Sequence, residues 1–199
     1  MKRPIPLAPE SFLPFGFFVR RGFLSPAACA RLRRAMSAAD AVSGQIRSRG
    51  RSVRSRGDRR VDVVTVSSRM RAGVDRAFRR VMPLLQARFG RRLSGLEPVQ
   101  FLRYRRGGRY VLHTDRTPGS RDAVAGRRKV SLIVFLSPPA DHLGGALVFP
   151  AMRSGDRRAR LPLAVRAEAG LLVAFRPEIE HEVRPVRRGV RCTLATWCF

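Results

Sequence analysis

From Gly95 to the C-terminus the chain is a succession of short apolar runs broken by turn residues. No other feature limits its fold as strongly. The runs are Val99–Tyr104, Tyr110–Asp115, Val130–Leu136, Ala146–Phe149, Leu171–Phe175, Glu182–Val186 and Cys192–Phe199. Gly107-Gly108, Pro118-Gly119, Pro138-Pro139, Gly144-Gly145 and Arg188-Gly189 punctuate them. Seven or so short strands at roughly even spacing predict a sandwich or a double-sheet jelly roll.

The first half reads differently. Ser25 can cap a helix and Pro26 suits its first position. Ala28, Leu32, Ala35 and Met36 then give it one face, to about Asp40. A second helix is predicted from about Ser67 to Phe89, with Val74, Phe78, Val81 and Leu85 as its buried stripe. Pro83 should kink or split it. Between the two, Ala41–Arg60 holds seven arginines, four serines and three glycines against the single acid Asp58, which predicts a mobile loop. Ile5–Phe18 is interrupted by Pro6, Pro9, Glu10 and Pro14, and is expected to be a leading strand or loop rather than a signal peptide. The fold class expected is α+β, mainly β. One domain spans 1–199: helical support and a basic loop over 1–95, and a jelly-roll core over 96–199.

At 199 residues and 44% hydrophobic, the chain is one domain with enough apolar material for a core. That excludes a disordered chain, a collagen and a membrane bundle. The 41 basic residues outnumber 14 acidic ones, for a net charge of +27. Such a charge favours acidic partners and polyanions without specificity. All the cations but Lys2 and Lys129 are arginines, a bias that coding composition also produces, so charge alone does not define a nucleic-acid binder. Cys29, Cys192 and Cys198 form no metal or disulfide pattern, which points to a reducing compartment. No run approaches the roughly 18 apolar residues of a membrane span. A cytoplasmic protein is expected.

Only three histidines are present, at 113, 142 and 181. His113 and Asp115 are two apart on a predicted strand, so imidazole and carboxylate project to one face. With His181 they make two histidines and a carboxylate, the facial triad of non-haem Fe(II) oxygenases. His142 lies in a predicted loop and is an alternative third ligand. Arg191 shares a strand face with Thr193, Ala195 and Trp197. If Trp197 faces the interior, so does Arg191, and a buried arginine needs an anion. A ligand carboxylate held in a bidentate fork would supply it; an internal ion pair with Glu182 or Glu180 is the other solution.

These residues resemble a family. Tyr104–Asp115 is similar to the YxxGGxYxxHxD segment of 2-oxoglutarate/Fe(II) dioxygenases of the prolyl-4-hydroxylase type. Gly144-Gly145-Ala146-Leu147 resembles the family's GGxL strand, and His181–Val186, Gly189-Val190-Arg191 and Trp197 resemble its HEVxPV…GxR…W close. The likeness covers about residues 98–199. It implies a double-stranded β-helix and Fe(II) held by His113, Asp115 and His181. It implies 2-oxoglutarate held by Arg191, with Tyr104 lining the same pocket and ascorbate as a candidate accessory reductant. Ile133, Leu147 and Trp197 would form apolar walls. Phe135 stands where close relatives carry a tyrosine, and Ser131 or Thr193 is a candidate replacement for that hydroxyl.

The activity so implied is hydroxylation of an unactivated C–H, with 2-oxoglutarate decarboxylated to succinate and CO2. The leading substrate is a prolyl residue of a protein or peptide; a free amino acid or small metabolite is the alternative. The basic segment Arg47–Arg60 could close over an acidic substrate, with Arg103, Arg105, Arg106 and Arg109 extending the field to the site mouth. The competing reading is a solvated, composition-driven loop. A basic nucleic-acid-binding jelly roll without turnover is the non-enzymatic alternative, although one Trp and two Tyr leave few stacking platforms.

Overall fold

The computed structural model describes residues 10–13, 16–43, 46–48, 51–53, 59–116, 123–153 and 160–199. In chain order the elements are β1 (Glu10–Leu13), β2 (Phe17–Arg20), α1 (Pro26–Ala38), β3 (Ala41–Ser43), β4 (Ile46–Ser48) and β5 (Arg51–Val53). Then come β6 (Arg59–Arg60), β7 (Asp62–Val64), α2 (Ser68–Phe89), β8 (Gln100–Tyr104), β9 (Arg109–His113) and β10 (Val130–Phe135). The last seven are β11 (His142–Gly144), β12 (Leu147–Arg153), β13 (Arg160–Val165), β14 (Leu172–Phe175), β15 (His181–Val183), β16 (Val186–Gly189) and β17 (Arg191–Cys198).

The large antiparallel sheet runs β1-β2-β14-β10-β17-β8-β7-β3, and the smaller runs β13-β12-β15-β9-β6. Period-2 alternation sorts their side chains. In β10, Val130, Leu132 and Val134 face the helices, while Ile133 and Phe135 face the opposing sheet. In β17, Cys192, Leu194 and Cys198 face the helices and Ala195 faces inward. The central strands are therefore buried on both sides, which is why they read as continuous apolar runs. The inter-sheet core joins Tyr104, Val173 and Phe175 of the large sheet to Leu147, Phe149 and Val183 of the small one. This is the jelly roll that the strand spacing predicts.

Both helices lie on the outer face of the large sheet. Ser25 caps α1 by accepting from Ala28 N at 3.2 Å, and Cys29, Leu32 and Met36 are its buried residues. Ser67 caps α2, which buries Val74, Phe78, Val81, Leu85 and Phe89. The helix runs unbroken through Pro83, so the expected split does not occur. Pro83 sits on the exposed face, where water can serve the Arg79 carbonyl it leaves without a donor, and Val81 and Leu85 anchor the helix on either side. Among the described residues, no helix is long and apolar enough to cross a membrane.

The first half contributes more β-structure than its sequence suggests. β1, β2, β3 and β7 join the large sheet and β6 joins the small one. The loop expected over Ala41–Arg60 instead contains β3 paired with β7, a β4–β5 hairpin, and β6 paired with β9. Backbone pairing with distant strands decides this, and serine- and arginine-rich composition does not announce it. Residues 44–45, 49–50 and 54–58 of that segment lie outside the described residues, as does the Pro118-Gly119 turn. Arg103 also departs from expectation. It is buried at 4% exposure, pairs with Asp62 at 3.1 Å and donates to the carbonyls of Met36, Ser37 and Ala39. It ties β8 to the end of α1 and does not reach a site mouth.

Candidate active site

β9 and β15 are antiparallel neighbours in the small sheet, and His113 and His181 are direct cross-strand partners. The register slips between His181 and Val183, whose partner is Tyr110, so β9 carries an extra residue at the site. Asp115 lies just beyond β9, fixed by its backbone N–H donating to Pro177 O at 2.9 Å. The three side chains meet. His113 Nε2 is 3.8 Å from Asp115 Oδ1, His181 Nε2 is 3.6 Å from Asp115 Oδ2, and all three ligand atoms lie within 4.8 Å of one another.

The hydrogen bonds set the chemistry of these rings. His113 Nδ1–H donates to Val111 O at 2.8 Å, and His181 Nδ1–H donates to Ile179 O at 2.9 Å. A carbonyl only accepts, so each Nδ1 carries a proton and each Nε2 is the ring atom turned toward Asp115. Burial first, and the His181 ring next, push the His113 pKa down to about 4, keeping it neutral. Burial alone would raise the Asp115 carboxyl, but the His181 and His113 rings outweigh it and hold the group below its ordinary value. Ser131 and Trp197 lower it further. Neither closes a full hydrogen bond, since Ser131 Oγ and Trp197 Nε1 are buried without a partner that meets one. Two imidazoles and a carboxylate, all aimed at one point, form a donor set that fits a divalent cation of the Fe(II) type.

Aromatic rings enclose the centre. Tyr110 stacks on His113 at 3.6 Å between centroids and 16° between planes. The Arg59 guanidinium lies 4.9 Å over the Tyr110 ring and donates to Gln100 Oε1. Phe175 and Phe149 approach His181 at 4.7 and 5.9 Å. Burial pushes the Tyr110 hydroxyl up to about 12, so it stays protonated beside the triad.

The second part of the site is Arg191. It is 1% exposed, and its Nε and Nη2 have no hydrogen-bond partner. Its guanidinium lies 4.9 Å from the Tyr104 ring and 5.2 Å from the Phe135 ring. Burial depresses its basicity, with the Tyr104 hydroxyl as the chief offset. The ion pairs open at the sequence level do not form among the described residues: Glu182 pairs with Arg184 at 3.2 Å, and no acid reaches Arg191. A buried cation with two idle donors is the structural requirement for a bound carboxylate. The glycine pair packs against it, because a Cβ on Gly145 would stand 2.8 Å from Arg191 Cδ.

The structure thus brings together His113, Asp115 and His181 as ligands, and places Arg191, Tyr104, Ile133, Leu147, Thr193 and Trp197 on strands that border the same inter-sheet space. Ser131 and Trp197 both act on the Asp115 carboxyl. His142 is not a third ligand; it opens β11 opposite Gly189. Sequence reasoning missed Phe149, Phe175 and Arg59 as walls of the site. Phe149 follows Leu147 by two on one strand, which is the period that could have shown it.

Comparison with known proteins agrees with this geometry. The family model of the 2OG-Fe(II) oxygenase superfamily matches residues 99–199. A PKHD-type hydroxylase of Thermosynechococcus vestitus is 36% identical over 101 residues, half of this chain and 42% of that protein. A PKHD-type hydroxylase of Xanthomonas axonopodis pv. citri is 31% identical over 181 residues, covering 87% of this chain and 74% of the relative. The fold matches a prolyl-4-hydroxylase of Pseudomonas putida with a TM-score of 0.70 at 22% identity, over 93% of each chain. It also matches a prolyl hydroxylase from Trichoplax adhaerens, solved with a hypoxia inducible factor peptide fragment, with a TM-score of 0.69 at 18% identity, over 94% of this chain and 84% of that one. The triad, the unpaired arginine and these matches converge: the chain belongs to the 2OG-Fe(II) oxygenase superfamily.

Proposed function

We propose that the protein is an Fe(II)- and 2-oxoglutarate-dependent dioxygenase that hydroxylates an unactivated C–H of a protein or peptide, with a prolyl residue as the leading target. The observation that carries this reading is Arg191, a buried guanidinium without an acid partner beside the inter-sheet space that the triad borders. Iron supplies the one-electron oxygen chemistry that side chains lack. The protein's own groups do the rest. His113, Asp115 and His181 would hold the ion, and three protein donors would leave room for the cosubstrate beside them. The two backbone carbonyls fix both Nδ1 protons, so neither ring can rotate its lone pair away. Arg191 orients the cosubstrate through its distal carboxylate, and Leu147, Phe149 and Phe175 keep water from the centre.

The preference for a protein or peptide is supported by the prolyl hydroxylase neighbours, one of them solved with a peptide. The net charge of +27 favours acidic residues near the target. Three buried free thiols fit a reducing, cytoplasmic setting. The test is incubation with Fe(II), 2-oxoglutarate and prolyl peptides carrying acidic, neutral or basic flanks. Succinate formation coupled to a mass gain of one oxygen on acidic peptides is the expected result. Oxygen insertion into free amino acids but into no peptide would overturn the substrate class.

A further inference from the structure

Ser131, Trp197 and His142 each carry a buried polar atom without a hydrogen-bond partner. The first two serve Asp115. His142 does not. It opens β11, which pairs with β16 so that His142 stands opposite Gly189, two residues before Arg191. The approach is close, since a Cβ on Gly189 would lie 2.9 Å from His142 Cα. The imidazole curls back on its own strand, donating Nδ1–H to Gly144 O at 2.9 Å. The next residue, Gly145, is the one pressed against Arg191 Cδ. The segment His142–Gly145 therefore ends against the stem of the arginine, and His142 Nε2 is left buried and unmatched. On the opposite wall Phe135 presents a ring without a hydroxyl. Arg191 Nε and Nη2 and His142 Nε2 are thus idle polar atoms on segments that Gly145 brings together, close enough for the Arg191 charge to act on the imidazole.

We propose that His142 is a second holder of the distal carboxylate of 2-oxoglutarate, donating Nε2–H as an imidazolium while Arg191 donates from its guanidinium, so that cosubstrate binding takes up one proton from solvent. This rests on the reading of Arg191 as the cosubstrate anchor. Before binding the ring is neutral. Burial is the larger cause and the Arg191 charge on β17 acts with it, against the Gly144 carbonyl on its own strand and the Asp141 carboxylate that precedes it. Asp141 is itself engaged by Arg33 of α1 at 3.1 Å, so it does not compete for the ring. An arriving carboxylate reverses the balance. It neutralises the Arg191 field and offers Nε2 an acceptor, and both effects favour the charged ring.

The test is calorimetric titration of 2-oxoglutarate into the Mn(II)-loaded full chain, in two buffers of different ionisation enthalpy, between pH 6 and 8. Wild type is expected to take up close to one proton per cosubstrate at the upper end of that range. Its affinity should fall by up to about tenfold per pH unit between the His142 pKa of the free protein and the higher pKa of the complex. His142→Phe should lose the proton uptake and the pH dependence while keeping Mn(II) affinity. His142→Gln, which donates from a neutral amide, should recover affinity without proton uptake. Wild-type binding with no proton uptake overturns the proposal whatever the variants do, as does unchanged uptake in His142→Phe. Arg191→Gln separates the two readings. Cosubstrate binding that survives it refutes the anchor itself. Binding lost in Arg191→Gln but indifferent to His142 refutes only the second holder.

Discussion

His113 and His181 face each other across β9 and β15 with ring centroids 4.2 Å apart, and each spends its Nδ1 proton on the carbonyl two residues before it in sequence. This paired arrangement fixes both tautomers with main-chain atoms alone, so no side-chain substitution can supply a substitute. His113→Ala or His181→Ala should remove metal binding and with it all 2-oxoglutarate turnover. Mn(II) titration followed by electron paramagnetic resonance reads the first loss directly. Retention of near-wild-type Mn(II) affinity in both variants would contradict the assignment.

Ser131 and Trp197 are cross-strand partners on β10 and β17, and both turn buried polar atoms toward Asp115. Groups in that position orient a ligating carboxylate, and removing one typically costs about 10- to 100-fold in metal affinity or activity. Trp197→Phe keeps the ring volume and deletes only the N–H. It should weaken metal binding by a factor in that range with little change in thermal stability. Equal metal affinities for Trp197→Phe and wild type would show that the indole is only a wall.

The depressed basicity of His113 makes a prediction about acid stability. Its pKa falls from the ordinary 6.5 to about 4 on folding. Between those values the unfolded chain binds a proton that the folded chain refuses, so stability is present above about pH 6.5 and is lost as pH falls toward 4. The loss is on the order of 3 kcal/mol at most. The Asp115 carboxyl, held below its ordinary value, adds a second loss at lower pH. Thermal melts of metal-free protein from pH 8 to 4 should show the first decline, and His113→Asn should flatten it. A melting temperature that falls equally in both proteins would assign the decline to general charge repulsion.

Arg103 offers a test away from the centre. It bridges Asp62 and three carbonyls at the end of α1. Arg103→Met leaves the three carbonyls without this donor, while Asp62 keeps Arg105, a change that should cost roughly 2–4 kcal/mol. Urea denaturation measures it. A loss below about 1 kcal/mol would place Arg103 among the solvated arginines after all.

His113 and Asp115 were legible because their spacing is local: residues two apart in extended chain project together, and this holds although β9 ends at His113. Arg191 was legible because Trp197 shares its face. Other features depend on which strands pair, and pairing over long sequence separations leaves no local mark. The Arg33–Asp141 contact, the His142–Gly189 register and the β3–β7 ladder are of that kind. Arg103 sits within a cluster of four arginines, and composition hid it. Its alternation with Phe101, a core residue on the same face of β8, was the available clue.

The central claim is that the His113–Asp115–His181 centre and Arg191 together turn over 2-oxoglutarate. The most direct measurement is succinate formation by the Fe(II)-loaded protein in air, comparing wild type with Arg191→Gln and His113→Ala. Wild type should form succinate slowly alone and faster with an acidic prolyl peptide, and neither variant should form it above the protein-free rate. Wild type that binds Fe(II) yet forms no succinate with any peptide, or succinate formed equally by all three proteins, would contradict the account.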